Sequence, residues 1–201
     1  MYYDNMNTMK NDTEIKIQEI LDEMQQMFKT AIGPRNRREY MNSIGVSGRD
    51  WHFSLTPEQI ISNKIPAQVI GCTGIAKLFC KLATDRELKV FVVCTAKFDD
   101  WMAAKQDNNK TINNGHQLNA VEIDGFLRVF DAGRRRVHFI DTNLKPGSLI
   151  DALQKGTTDY LLTAVVPGKQ FLYMDTYQKL CNLYTSGDMN NPNFTITPEL
   201  K

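Results

Sequence analysis

Long hydrophobic runs are missing from this sequence. No apolar stretch approaches the ~20 residues that a helix needs to cross a bilayer. The first residues, MYYDNMNTMKNDTE, also lack the apolar segment that directs a chain to secretion. We therefore expect no membrane association and a cytoplasmic location.

A net charge of either sign is also missing. Lysine and arginine total 24, and aspartate and glutamate total 23, so no overall field attracts nucleic acid or an anionic membrane. Arg134, Arg135 and Arg136 form the one cationic cluster, but no aromatic residues that could stack on bases are interleaved with them. Nucleic acid is therefore not an expected partner.

Cysteine and histidine are few, and they do not form disulfide or ligand sets. None of the four cysteines belongs to a CxxC pair, and three of them lie in apolar stretches. The three histidines stand at no metal-ligand spacing from any cysteine. We therefore expect no disulfide framework, metal or cofactor, and we expect a reducing compartment.

The sequence does contain the pattern of one α+β domain spanning residues 1–201. Apolar residues make up 42% of the chain, which is ordinary for a globular protein and sufficient for one core. Apolar residues recur at helical spacing over about residues 12–32, which predicts a helix packed on the body of the domain. The predicted fold is a set of N-terminal helices packed on an antiparallel β-sheet.

Five later runs are rich in β-branched and apolar residues and are predicted strands: LKVFVVCTAK, GHQLNAVEI, FLRVFDA, VHFID and TDYLLTAVV. A helix is predicted to begin at Thr56 and Pro57, where a capping residue precedes proline. Residues 34–55 are predicted to form a loop that holds at most a short helix. Further short helices are predicted near residues 149–153 and over DTYQKLCNLY.

Cys72 stands where a predicted loop gives way to a predicted helix, between Gly71 and Gly74. The unpaired N–H groups and the dipole of a helix N-terminus favour a thiolate over a thiol, and a nucleophile requires the thiolate. The alternative is that Cys72 is a small buried hydrophobe. Cys80 and Cys94, which lie inside predicted elements, are interpreted in that second way.

A predicted hairpin brings a histidine and an aspartate together. The dipeptide Asp124-Gly125 separates two strand-like runs and is the strongest hairpin signal in the chain. With a two-residue turn, Asp131 lies opposite Leu118, so that His116 and Asp131 are diagonal neighbours on one face, about 7–8 Å apart at their Cα atoms. An imidazole so placed is a general base with an orienting carboxylate.

The stretches GCTGIAKLFCKLA, LKVFVVCTA and GHQLNAVEIDGFLRVFD together resemble the core of the transglutaminase-like superfamily, over about residues 56–145. In that family a cysteine opens a helix, a histidine begins the second of the strands that follow, and an aspartate ends the third. Cys72, His116 and Asp131 stand in that order. The resemblance implies a papain-like fold and a Cys-His-Asp triad.

Four more residues are expected near the oxyanion or the cleft. Gln68, four residues before the cysteine, is the candidate side chain for the oxyanion. Thr73 stands near a place where the family often carries an aromatic residue, and Asn119 resembles the family pattern after the histidine. Trp101 belongs to a polar excursion, residues 98–114, that forms either a cleft wall or a plain surface loop. The calcium-binding acidic cluster of animal transglutaminases is not recognisable.

The resemblance implies acyl transfer through a thioester, most simply in a cysteine hydrolase, a protease or an amidase, that acts on a peptide or protein. Small members of the family are more often hydrolytic. Two alternatives remain open, namely an amine-accepting crosslinker and a non-catalytic module that binds a peptide or protein. The presence of all three triad residues favours an enzyme. His52 and His138 are predicted to be structural.

Overall fold

A computed structural model describes residues 11–48, 51–106, 115–140, 149–150 and 160–172 of the chain. In these ranges five helices precede the first strand, a sixth follows that strand, and a seventh follows the last strand. In chain order the elements are α1 (Asp12–Lys29), α2 (Arg37–Ser43), α3 (Trp51–Ser54), α4 (Pro57–Ser62), α5 (Ala67–Asp85), β1 (Val90–Lys97), α6 (Phe98–Gln106), β2 (Gly115–Ile123), β3 (Phe126–Phe130), β4 (Phe139–Ile140), β5 (Leu149–Ile150), β6 (Tyr160–Pro167) and α7 (Gly168–Leu172).

The strands form one antiparallel sheet in the order β4-β3-β2-β1-β6-β5. The β2–β3 hairpin turns at Asp124 (φ 53°) and Gly125 (φ 81°), and both lie in the left-handed region that a type I′ turn requires. Asn119 pairs with Phe130, in the predicted register. The predicted α+β class, with helices packed on an antiparallel sheet, is confirmed.

Apolar side chains are buried on both faces of this sheet. On one face, Val92 lies in a cluster with Phe79 of α5 and Phe130 of β3, whose rings meet edge to face at 5.0 Å. On the other face, Val93 lies in a second cluster with Leu118. Because successive residues of β1 enter different clusters, the strand is an uninterrupted apolar run and does not alternate with polar residues.

Helix α5 crosses the first face and is bent at Gly71, whose φ of 62° and ψ of −168° are not helical. Glycine adopts this left-handed conformation without the steric cost of a Cβ atom. The regular part of α5 therefore begins at Cys72, as predicted, and a single turn from Ala67 precedes it.

Helix α1 packs on α5 through its apolar side, as predicted for the main body of the domain. The Oδ1 atom of Asn11 accepts a hydrogen bond from the backbone N–H of Thr13 (2.9 Å) and caps the helix. A capping box between Thr56 and Gln59 begins α4, at the predicted start. The fully buried residues of α1 are Ile17, Ile20, Leu21 and Met24.

Several predictions of local structure were wrong. Leu149–Ile150 form a strand and not a helix, because they pair with Tyr160 and Leu161 of β6 and complete their hydrogen bonds at the sheet edge. Residues 34–55 hold two helices, α2 and α3. Of the predicted strand VHFID, Phe139 and Ile140 form β4, residues 137–138 are not in a strand, and residue 141 lies outside the described residues. Residues 151–153 and the helix predicted over DTYQKLCNLY lie outside the described residues, and the single-domain organisation stays a prediction.

The longest described helices, α1 and α5, have 18 and 19 residues. In the part of the chain that the structure describes, no helix combines the length and apolar character needed to cross a membrane.

Replacing Gly125 by alanine is expected to lower the free energy of unfolding by about 1 kcal/mol. No atom lies within 4 Å of the place that a Cβ would take, so the cost arises from the left-handed backbone alone. Gly125→Asn is the matched control, because asparagine tolerates this conformation better than alanine. Urea denaturation measures both variants. Equal losses would contradict backbone strain as the cause.

Candidate active site

Cys72 is the first residue after the bend in α5 and stands at the N-terminal end of the regular helix. Its side chain is partly exposed, and the residue is not in a disulfide. The helix dipole and the first N–H groups favour negative charge at this position. Beyond the bend at Gly71, the helix therefore begins with a partly exposed free thiol, whereas Cys80 of the same helix is buried.

His116 and Asp131 meet across the β2–β3 hairpin. His116 is the second residue of β2, and Asp131 follows the last residue of β3. The Nε2 atom of His116 lies 3.2 Å from Oδ2 of Asp131, which is the contact that the hairpin register predicted. The backbone N–H of Gly133 donates to Oδ1 (2.8 Å), and Nε of Arg134 lies 3.9 Å from Oδ2. The carboxylate is therefore held toward the imidazole.

The surroundings of His116 favour its imidazolium form. Burial lowers the pKa of His116, but hydrogen bonds to Asp131 and Cys72 and the charges of both groups raise it to about 9. Burial raises the pKa of Asp131, but the hydrogen bond and charge of His116 outweigh that effect and hold it below its usual value. Because Nε2 faces Asp131, Nδ1 is the ring nitrogen left for Cys72.

Cys72 differs from the other described cysteines in its ionisation. Burial raises the pKa of Cys72, but the hydrogen bond and charge of His116, with help from Gln117 and Thr73, hold it below its ordinary value. Burial raises the pKa of Cys80, and raises the pKa of Cys94 to about 12. Both of these cysteines are fully buried, which confirms their interpretation as small hydrophobes.

Sequence reasoning missed Gln117, which lies against Cys72 from the strand below. It is 3% exposed, and its Oε1 accepts hydrogen bonds from the Cys72 thiol (2.8 Å) and the Thr73 hydroxyl (3.0 Å). Strand alternation was the available signal, because it places Gln117 on the same face of β2 as Asn119, whose amide contacts α5. A thiolate at Cys72 would favour the amide rotated by half a turn, with Nε2 donating to the sulfur.

The four expected cleft residues lie in different surroundings. Thr73 is buried at the thiol, through its hydrogen bond to Gln117. Gln68 is exposed in the turn before the bend, and among the described residues it makes no hydrogen bond to Cys72 or His116. Asn119 is in the core, where its Nδ2 donates to the Ala76 carbonyl (3.4 Å) and to Cys80 (3.5 Å). Trp101 belongs to α6, and its side chain lies outside the described part of the structure.

Arg37 is a second residue that the sequence did not indicate. Its Nε donates to the Val69 carbonyl (2.7 Å), and its Nη1 lies 3.1 Å from Nε2 of His52. Because arginine only donates, this ring nitrogen of His52 accepts, and its proton is on Nδ1. His52 is buried and packs beside Phe53, with ring centroids 3.8 Å apart, in keeping with the structural role predicted for it.

The described residues contain no group of three or more histidine, cysteine, aspartate or glutamate side chains that could hold a metal ion. The functional groups gathered at the site are a thiol, an imidazole, a carboxylate and an amide.

Comparison of the chain with protein-family models, with curated proteins and with solved structures found no significant match. The resemblance to the transglutaminase-like superfamily stays a prediction. What the molecule does is therefore inferred from the geometry and the acid–base chemistry of the site.

Iodoacetamide is expected to alkylate Cys72 at mildly acidic pH, where Cys80 and Cys94 stay unmodified. The lowered pKa of Cys72 keeps thiolate present below the ordinary range of cysteine, and the rate falls as pH falls through that pKa. His116→Ala should raise the pKa and remove this reactivity. Peptide mapping by mass spectrometry measures each site separately, so the two buried cysteines are internal controls. If the alkylation rate of Cys72 depends on pH as it does for an ordinary thiol, the assignment of Cys72 as an activated thiol is wrong.

The imidazole of His116 is expected to titrate at a pH of about 9. Its Cε1–H resonance, followed by NMR against pH and assigned with His116→Ala, gives the value directly. In Cys72→Ala the pKa of His116 should fall, because the negative charge of the thiolate no longer stabilises the imidazolium. In Asp131→Asn it should also fall, because the negative charge of the carboxylate is lost. An unchanged pKa in both variants would mean that neither group acts on the ring.

Proposed function

We propose that this protein is a cysteine acyl-transfer enzyme, most simply a hydrolase of peptide or protein amides, with Cys72 as nucleophile. The observation that carries the proposal is the His116–Asp131 pair beside Cys72, together with the opposite pKa shifts of the thiol and the imidazole. Structural cysteines in a core have raised pKa values, as Cys80 and Cys94 do. A thiol whose pKa is lowered, beside an imidazole whose pKa is raised, is typical of a nucleophile and its base.

The proposed reaction has two halves. The Cys72 thiolate forms a bond to the carbonyl carbon of an amide, and the electron pair of the carbonyl moves to its oxygen. When the tetrahedral intermediate collapses, the C–N bond breaks, and the imidazolium of His116 gives its proton to the departing amine. Neutral His116 then takes a proton from water, whose oxygen attacks the thioester. The acid product leaves as the thiolate and the imidazolium are restored.

Asp131 and the start of the regular α5 helix have supporting roles in this reaction. The Asp131 carboxylate accepts from Nε2–H, which keeps Nδ1 directed to the sulfur and stabilises the imidazolium. Negative charge on the carbonyl oxygen is favoured near the N–H groups of the helix start. Gln117, which contacts the sulfur, is a better candidate than Gln68 for a side-chain amide that donates to this oxygen.

We further propose a papain-like arrangement for the fold, in which the helix of the nucleophile packs on the sheet that carries the base and the acid. Helix α5 packs on β1 and β2, and β2 and β3 supply His116 and Asp131, in the order that the family resemblance implies. The described cysteines are unpaired thiols, which is in keeping with a reducing compartment such as the cytoplasm.

Labelling with a peptide ketone probe is expected to depend on Cys72 and on its base. Cys72→Ala should abolish labelling, and His116→Ala should slow it by about 10²–10⁴-fold, the usual range for loss of a general base. Cys94→Ala is the matched control and should label at the parent rate, because that thiol is buried and protonated at neutral pH. Intact-protein mass spectrometry follows the reaction. Labelling of Cys72→Ala at the parent rate would overturn the proposal.

A turnover experiment distinguishes water from an amine as the acyl acceptor, and an enzyme from a module that only binds. The protein is incubated with a pool of peptides, with and without an added primary amine, and the products are identified by mass spectrometry. New carboxyl groups are the expected result and indicate water as acceptor, whereas incorporation of the amine would indicate a crosslinker. Neither product, from a protein whose Cys72 labels rapidly, would favour a module that binds without turning over.

A further inference from the structure

The guanidinium of Arg37 lies against the bend that precedes Cys72. Arg37 is the first residue of α2, far from Cys72 in the sequence, yet its Nη2 lies only 2.7 Å from the place that a Cβ on Gly71 would occupy. The hydrogen bond from its Nε to the Val69 carbonyl (2.7 Å) holds it there. Gly71 is thus glycine for two reasons, its left-handed φ and the close approach of Arg37.

Arg37 makes no ion pair with a carboxylate of the described residues. The hydrogen-bond partners of Arg37 among the described residues are the Val69 carbonyl and a ring nitrogen of His52 that accepts. Burial lowers the pKa of Arg37, and the nearby Cys72 is the charge that raises it. A partly buried cation that donates hydrogen bonds only to neutral groups of the described residues has lost hydration, which an anionic ligand would replace by binding its remaining N–H groups.

A groove of about 560 Å³ opens beside Arg37, within the size range of ligand sites. Among its described lining residues two are cationic and none is acidic, so an anion is the ligand that the local charge favours. The lining residues are Asn36, Arg37, Arg38, Met41, Asn42, Val46, Ser47 and Gly48.

We propose that Arg37 binds a carboxylate of the substrate, next to the carbonyl that Cys72 attacks. This inference rests on the proposed acyl-transfer function and names its substrate class, an acyl donor with a carboxylate close to the scissile bond. The planar guanidinium suits this role, because its remaining N–H groups can bind carboxylate oxygens in a fixed geometry. The carboxylate belongs either to a free chain terminus or to an acidic side chain.

The first test compares iodoacetate with iodoacetamide as alkylating agents for Cys72. In both, the thiolate forms an S–C bond and iodide leaves, but only iodoacetate carries a carboxylate beside the reacting carbon. In Arg37→Gln, the ratio of the iodoacetate rate to the iodoacetamide rate should fall about tenfold, the size expected for one lost hydrogen bond between charged groups. Arg37→Lys should keep part of the preference for iodoacetate, because lysine retains the positive charge but lacks the paired N–H groups of a guanidinium.

Arg35→Gln is the matched control, with the same change of charge two residues away. Arg35 is exposed, its Nη1 donates to the Phe28 carbonyl (3.1 Å), and it does not line the groove, so the ratio should stay at the parent value. If Arg37→Gln slows both reagents equally, Arg37 acts on the thiolate alone and the proposal is wrong. An unchanged ratio in Arg37→Gln and Arg37→Lys would also overturn it.

The second test removes the chemistry and so does not depend on the proposed function. In Cys72→Ala, the Nε–H resonance of Arg37, assigned with Arg37→Lys, is followed by NMR during titration with three small molecules. A saturable shift with N-acetylglycine indicates a chain-terminal carboxylate, and one with N-acetylglutamate α-amide indicates an acidic side chain. N-acetylglutamine α-amide is the neutral control and should cause no such shift. If neither acid causes a saturable shift, the proposed carboxylate site is wrong, even if Cys72 proves reactive.

Discussion

The candidate site depends first on the register of the β2–β3 hairpin. The turn at Asp124 and Gly125 sets which residues lie opposite one another, and a slip of one residue would reverse the face of every side chain on β3. In the observed register Asp131 reaches His116, while Gln117 turns to the face where α5 packs. The turn lies at the far end of the hairpin from the candidate site, yet it positions His116, Asp131 and the amide of Gln117.

Burial and partner charges oppose each other throughout this site. For Cys72, His116 and Asp131 alike, burial acts against the charged form, and in each case the neighbouring partners outweigh it. The hydrogen bond from Asn119 does not offset the effect of burial on Cys80, and Cys94 has no partner in the described part of the chain that lowers its pKa, so burial decides for both. Among the described cysteines, the neighbours therefore decide whether the pKa is lowered or raised. Arg37 adds a cation at the bend that precedes Cys72, and Arg37 also lines the groove.

Much of the fold, and the contact between His116 and Asp131, could be predicted, because those features follow local rules. A turn dipeptide, strand alternation and a glycine before a helix indicated His116, Asp131 and Cys72. The errors arose where local signals are weak or where distant segments meet. Leu149–Ile150 became a strand because β6 was there to pair with it, and Asn119 entered the core because α5 lies over that part of β2.

The sequence by itself determined the α+β class, the hairpin register and the helix start at Cys72, because periodicity, turn chemistry and backbone freedom are properties of short segments. Only the tertiary structure decided that Gln117 contacts the sulfur, that Arg37 lies at the bend before Cys72, and that Asn119 lies in the core instead. Those placements depend on how α2, α5 and β2 pack together. Contacts between segments distant in the chain carry no local pattern, and packing alone selects which side chains share a cleft.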